Sequence, residues 1–261
     1  KRGMLIVIDG LVGVGKGEVE RALIEFEQKQ GKAVFDTIAF SRGQRKGLPD
    51  ITDFWNPPHT YFDTIITAEP TYTGIGKVIR DEITKKNSRV YSAWDQIQAY
   101  SMDRLISMRR IVIPALNAGL TVIQSRSFAS TWAYQSLKAE EEGLDIKEIQ
   151  QKVLEHPGNR LQLDYAPDLL IIPTIQDINE IMNRLSKRGI HVKDDNSVFD
   201  ELSFQERLKP LYESQELREL FEERGTRVEY LDAGRSPEDT REQARTIYKK
   251  FLGSDINGEP T

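Results

Sequence analysis

Residues 5–17 read Leu5-Ile6-Val7-Ile8-Asp9-Gly10-Leu11-Val12-Gly13-Val14-Gly15-Lys16-Gly17. A short apolar, β-branched run breaks at Asp9-Gly10. Helical spacing follows over 18–30, with Val19, Leu23 and Phe26 on one side and Glu20, Glu27 and Lys29 on the other. Gly31 suits the end of that helix. Between strand and helix lies G-x-x-x-x-G-K, in the context that motif needs. Its glycines let backbone N–H groups turn inward around phosphate oxygens. The helix N-terminus adds the positive end of its dipole, and Lys16 adds a mobile charge. Gly10, Gly13, Gly15, Lys16, Gly17 and Glu18 are therefore expected to border the phosphates of a nucleotide. The motif ordinarily closes with Ser or Thr, whose hydroxyl holds Mg²⁺. Here Gly17 stands instead. Mg²⁺ is then expected to be held by water, Asp9 and Glu69, both at predicted strand C-termini, where ligands bind in open α/β sheets.

The rest of the chain repeats the strand-then-helix alternation. Strand-like runs recur at 63–67, 120–124, 168–172 and 227–231. Helical stretches lie at 76–85, 93–117, 146–155, 178–187, 203–224 and 236–252. This predicts an α/β fold: a P-loop, doubly wound, five-stranded parallel sheet with helices on both faces, forming one domain over 1–252. Residues 40–60 are rich in Gly, Pro and charge and fit no element, so they read as an insertion or mobile flap outside the core. Phe35-Asp36-Thr37-Ile38 recurs as Phe62-Asp63-Thr64-Ile65, and the two copies could pair as a hairpin around that insertion. The tail 253–261 is expected to fray.

Composition excludes several chemistries. The 261 residues hold no Cys, which removes disulfides, thiolate zinc, iron–sulfur clusters and a thiol nucleophile. The three His, at 59, 156 and 191, are scattered. With 36 Lys+Arg against 41 Asp+Glu the net charge is −5, the wrong sign for coating a nucleic acid polymer or an anionic membrane. No apolar run approaches the ~20 residues of a membrane helix. Lys1-Arg2-Gly3-Met4 leads straight into a strand and does not read as a signal peptide. A cytoplasmic protein is expected.

Three further segments are placed for a second substrate. Thr67-Ala68-Glu69-Pro70 ends one core strand. Tyr100 and Arg104 lie four apart on one helix face. Arg126, in Ser125-Arg126-Ser127, follows another strand; its planar fork suits phosphate oxygens. Glu69-Pro70 with Thr73-Gly74-Ile75-Gly76 and Ile79-Arg80, Tyr100 to Arg104 with Ile113-Pro114-Ala115-Leu116, Ser125-Arg126-Ser127 with Ser130 and Ala133-Tyr134-Gln135, and Arg184 to Gly189 together resemble the thymidylate kinase family. The resemblance covers nearly the whole chain outside 40–60.

It implies phosphorylation of a (deoxy)nucleoside monophosphate by ATP and Mg²⁺, with dTMP as the leading acceptor, in a homodimer. By the same resemblance Lys16 holds the ATP phosphates, Tyr100 stacks on the base and Arg104 meets the base edge. Arg126 binds the acceptor phosphate, and Thr131 and Tyr134 line the base and sugar pocket. Arg184 and Arg188 lie by a lid over 184–200, and Ala233 lies on the adenine-side loop. Four positions depart from the family pattern. Val12 replaces an acid, Gly17 the Mg²⁺-binding hydroxyl, Ala68 a clamp Arg and Ser125 an Asp. Arg42, Arg45 and Lys46 could supply the charge missing at Ala68. Two other readings stay open: a deoxynucleoside kinase, and a nucleotide-binding homologue with little kinase activity.

Overall fold

The computed structural model describes residues 2–44, 47–56, 60–188 and 202–256. In chain order, β1 (Leu5–Ile8) leads through the Gly-rich loop into α1 (Lys16–Lys29), then β2 (Val34–Asp36) and α2 (Thr37–Gln44). A two-stranded antiparallel pair follows, β3 (Trp55–Asn56) with β4 (Thr60–Tyr61), and then β5 (Thr64–Ala68) and α3 (Gly74–Val78). α4 (Ala93–Ser107) continues through a π-helical turn into α5 (Ile113–Asn117), the unbroken run expected over 93–117. β6 (Thr121–Ser125), α6 (Phe128–Glu141), α7 (Ile146–Glu155), α8 (Pro157–Asp164), β7 (Leu169–Thr174) and α9 (Asn179–Arg188) follow. The chain ends with α10 (Leu202–Tyr212), α11 (Gln215–Glu222), β8 (Arg227–Asp232) and α12 (Pro237–Ile256).

The main sheet runs β2-β5-β6-β1-β7-β8, with every pairing parallel. It has six strands, not five. The extra edge strand is β2, whose three residues are too short to show a period. The repeated tetrapeptides do not form a hairpin: β2 lies parallel to β5, with Phe35 opposite Ile65. Leu5 to Ile8 of β1 and Leu169 to Ile171 of β7 are fully buried, as strands covered on both faces must be. Because β1 sits between β6 and β7, the loop after it opens at the same sheet edge as Glu69 after β5 and Arg126 after β6.

The described residues of the segment 40–60 do not form a free flap. Phe54 is fully buried in the hydrophobic core and meets Phe35 edge-on at 5.4 Å. Leu48 and Ile51 pack beside it, and Arg110 Nε donates to the Leu48 and Pro49 carbonyls. Arg45 and Lys46 lie outside the described residues. The run expected over 203–224 breaks at Ser214, whose hydroxyl accepts from Leu217 N and starts α11. Residues 253–256, expected to fray, continue α12. A buried carboxylate ties the layers together. Glu27 of α1 accepts from Lys32 (2.8 Å), Thr64 of β5 (2.7 Å) and Tyr248 of α12 (3.0 Å).

Candidate active site

Three glycines with left-handed backbone set the loop: Gly10 (φ 142°), Gly13 (φ 72°) and Gly15 (φ 115°). Lys16 Nζ folds back on the Gly10 carbonyl at 3.0 Å and on that of Leu11. Its charge therefore lies at the mouth of the cradle. α9 packs directly on the loop: a Cβ built on Gly13 would lie 3.1 Å from Leu185 and 3.2 Å from Ile181. Arg184 donates to the Ala233 carbonyl at 2.8 Å and to the Val14 carbonyl at 3.4 Å, joining the loop to the turn after β8. Glu18 is turned away from the loop toward α12, where Arg241 pairs with it. The side chain of Arg188 and residues 189–201 lie outside the described residues.

Asp9 is fully buried. Its Oδ1 accepts from Gly10 N (2.8 Å), Ser130 Oγ (2.6 Å) and Tyr212 Oη (3.1 Å), and its Oδ2 from Ser127 Oγ (3.0 Å) and Ser130 N (3.1 Å). Burial and then the charge of Asp9 push the Tyr212 phenol well up, so it stays a donor. Glu69 is equally occupied. Arg104 Nε (2.8 Å) and Nη2 (2.7 Å) reach its Oε2; Gln124 (3.1 Å) and Gln162 (2.9 Å) reach its Oε1. Burial raises the Glu69 pKa, against the pull of Arg104.

A carboxylate has about four lone-pair sites, and both groups have filled theirs with protein donors. Gly17 has no hydroxyl, and no cluster of three His, Cys, Asp or Glu occurs among the described residues. Asp9 and Glu69 therefore do not fit the role of direct Mg²⁺ ligands; they are structural hubs.

After β6, where the acceptor is expected, Arg126 carries its side chain from a left-handed backbone (φ 67°). Its Nη1 donates to Ser130 Oγ at 3.0 Å and lies 4.0 Å from Asp9 Oδ1. The guanidinium stands 5.7 Å from the Tyr134 ring centroid. Tyr100 faces the same group, and burial pushes its phenol up to about 12, with the Arg126 charge opposing. Tyr134 is buried between Arg126 and Gln205 of α10. Gln205 also accepts from Val12 N at 3.2 Å, so α10 closes over the loop.

Arg104 is 1% exposed and engaged on every side, by Glu69, Asn159 and Thr131 Oγ1 (3.0 Å). It braces the pocket wall through these partners. Thr131 is held by that bond.

Sequence reasoning missed Tyr212, Gln205, Asn159 and Gln162. Each is polar and buried, and each comes from a helix remote in sequence from the partner it holds, so no local spacing marks it. Ser127 and Ser130 were within the signature and carried a signal: Ser127 follows Arg126 and caps α6, and Ser130 lies one turn into that helix.

Comparison with known proteins fixes the lineage. The family model described as thymidylate kinase matches residues 57–244. The chain belongs to the thymidylate kinase family. Full-length relatives include probable thymidylate kinases of Archaeoglobus fulgidus (22% identical, 95% of this chain and 96% of that protein) and Pyrococcus abyssi (26%, 96% and 98%). The thymidylate kinase of Halothermothrix orenii is 26% identical over 97% of this chain and 98% of that protein. The solved structure of the Candida albicans thymidylate kinase superposes with a TM-score of 0.62 at 20% identity, covering 95% and 92% of the two chains, which establishes the shared fold. Within this thymidylate kinase-family chain, the matched segment starts downstream of the phosphate loop, which carries two of the four departures, Val12 and Gly17.

Proposed function

We propose that this chain transfers the γ-phosphoryl group of ATP to the phosphate of dTMP, giving dTDP and ADP. The observation that carries the reading is one sheet edge holding both the glycine cradle with Lys16 and the Arg126–Tyr100–Tyr134 group. Phosphoryl transfer depends on positioning and charge neutralisation. Loop N–H groups and the α1 N-terminus hold the donor phosphates. Lys16 exchanges its carbonyl partners for phosphate oxygens. Arg126, oriented by Ser130 and Asp9, neutralises the acceptor phosphate and aligns its oxygen with the donor.

That oxygen is already ionised near neutral pH, so the reaction needs no general base. This favours a monophosphate over a bare nucleoside, whose hydroxyl would need one. Asp9 and Glu69 are saturated by donors, and Asp103 is engaged by Thr71 N (2.7 Å) and Oγ1 (2.6 Å). ADP release measured over thymidine, dTMP, dUMP and other monophosphates tests the assignment. dTMP should give the highest kcat/KM; preference for thymidine would transfer the protein to the nucleoside kinases. Absence of turnover with dTMP bound would make it a nucleotide-binding homologue.

A homodimer through α4 is part of the reading. Trp94, Met102 and Ile106 lie on one face of that helix and are 42%, 45% and 37% exposed. Met102→Glu should shift the mass measured by light scattering to that of a monomer. No helix among the described residues is long and apolar enough to cross a membrane. The absence of Cys suits a reducing compartment such as the cytoplasm.

A further inference from the structure

β5 ends in Ala68, where the family pattern has an Arg before Glu-Pro. The room such a side chain would need is filled. α2 packs against the end of β5, and the void left between Ala68, Ile38, Ser41, Leu48, Thr71 and Tyr72 is about 10 Å³, no more than one water. The element that takes this room also brings a cation. Arg42, in the last turn of α2, has its guanidinium carbon 4.6 Å from the centroid of the Tyr72 ring. Arg80 shares the same ring at 3.8 Å.

The two arginines differ in what else holds them. Arg80 is anchored by the Pro70 and Thr71 carbonyls. Burial lowers its pKa, and the nearby Arg126 charge adds to that shift. Arg42 is exposed, and no carboxylate among the described residues pairs with it. Its fixed contact is the ring face. Positive charge thus runs from Arg42 through Arg80 to Arg126 along the edge where the acceptor's phosphate is expected; Asp9 faces Arg126 and Asp103 faces Arg80, whereas no carboxylate among the described residues pairs with Arg42.

We infer that Arg42, delivered by α2 and held against Tyr72, is the phosphate-clamping arginine of this chain, doing from a neighbouring helix what a residue at position 68 does in the family pattern. The inference rests on the acceptor being a nucleoside monophosphate. Tyr72 is then a positioning residue: its ring face holds the guanidinium near the phosphate while leaving its N–H donors open.

The test compares dTMP and thymidine binding by calorimetry, and steady-state kinetics, for the wild type, Arg42→Ala, Arg42→Lys and Tyr72→Leu. A lost charged hydrogen bond corresponds to roughly tenfold or more in affinity. Arg42→Ala should weaken dTMP binding about tenfold or more and raise its KM in step. The KM for ATP, thymidine binding and the melting temperature should stay as in the wild type. Arg42→Lys should recover part of the loss, and Tyr72→Leu should reproduce part of it. If Arg42→Ala binds dTMP as the wild type does, the inference is overturned while the proposed reaction stands. If the lysine variant recovers nothing and thymidine binding falls equally, Arg42 is a structural prop and the inference is likewise overturned. If the wild type itself binds no dTMP, the proposed reaction fails and takes the inference with it.

Discussion

Gly17 in the phosphate loop and Ala68 at the end of β5 both stand where the family pattern has a polar side chain, yet their surroundings are opposite. A Cβ built on Gly17 meets nothing within 4 Å, and its backbone is not left-handed. Ala68 is 7% exposed and walled in by α2. Open space around a missing group means that nothing has taken its place. Filled space means that another element has. On the proposed reading, the donor side of this chain lacks a side chain, whereas the acceptor side is rebuilt around α2.

The largest expected effects separate the two sides. Lys16→Ala should lower kcat by about a thousandfold, since it removes the one loop charge that can follow the migrating phosphoryl group. Near wild-type turnover would refute the donor assignment. Arg126→Ala should lower kcat/KM for dTMP by about a hundredfold, with ATP binding little changed. An equal loss of ATP affinity would move Arg126 to the donor side and dissolve the contrast.

Restoring the missing groups tests the contrast itself. Gly17→Ser should fold normally and lower the free Mg²⁺ needed for half-maximal rate by about tenfold, the scale of one ligand to a charged group. Ala68→Arg should do the reverse. Its side chain has no room, so the melting temperature should fall by about 3–10 °C, with no gain in dTMP affinity. A stable, more active Ala68→Arg protein would show that α2 is not a replacement.

The smallest effect lies where the regions meet. Glu20 of α1 has its pKa raised from 4.5 to about 7 by burial and by Asp36, the residue that caps α2. The folded state therefore binds a proton that the unfolded state has lost between these values, and stability falls as pH rises through 7. Glu20→Gln should remove that part of the slope, raising the melting temperature at pH 8 by a few degrees and changing it little at pH 4. Equal shifts at both pH values would assign the effect to packing.

Most of the fold was legible because its strands are buried on both faces and read as apolar runs between long amphipathic helices. β2 escaped because three residues cannot display a period. The segment 40–60 was misread because one aromatic, Phe54, anchors a stretch whose composition is otherwise that of a loop. In the site, backbone-determined features were visible: the glycine spacing and the Arg after β6. What sequence could not show was saturation. Asp9 and Glu69 look like metal ligands at their strand ends. Only the donors arriving from α6, α8, α10 and α4 show that their lone pairs are filled.

Arg126 adds a different kind of information. A non-glycine residue in the left-handed region is disfavoured by about 1–2 kcal/mol, and at φ 67° this arginine bears that strain. Glycine would relieve it. A sequence shaped by foldability alone would therefore drift toward glycine or asparagine at this turn. Here an arginine is carried against its own backbone preference, which fits a position occupied for what the guanidinium touches. The same residue holds a built-in conflict: Arg126→Gly would relieve the torsion but would take the guanidinium from beside buried Asp9, 4.0 Å away, and from Ser130, so the backbone gain and the lost pairing oppose each other in stability.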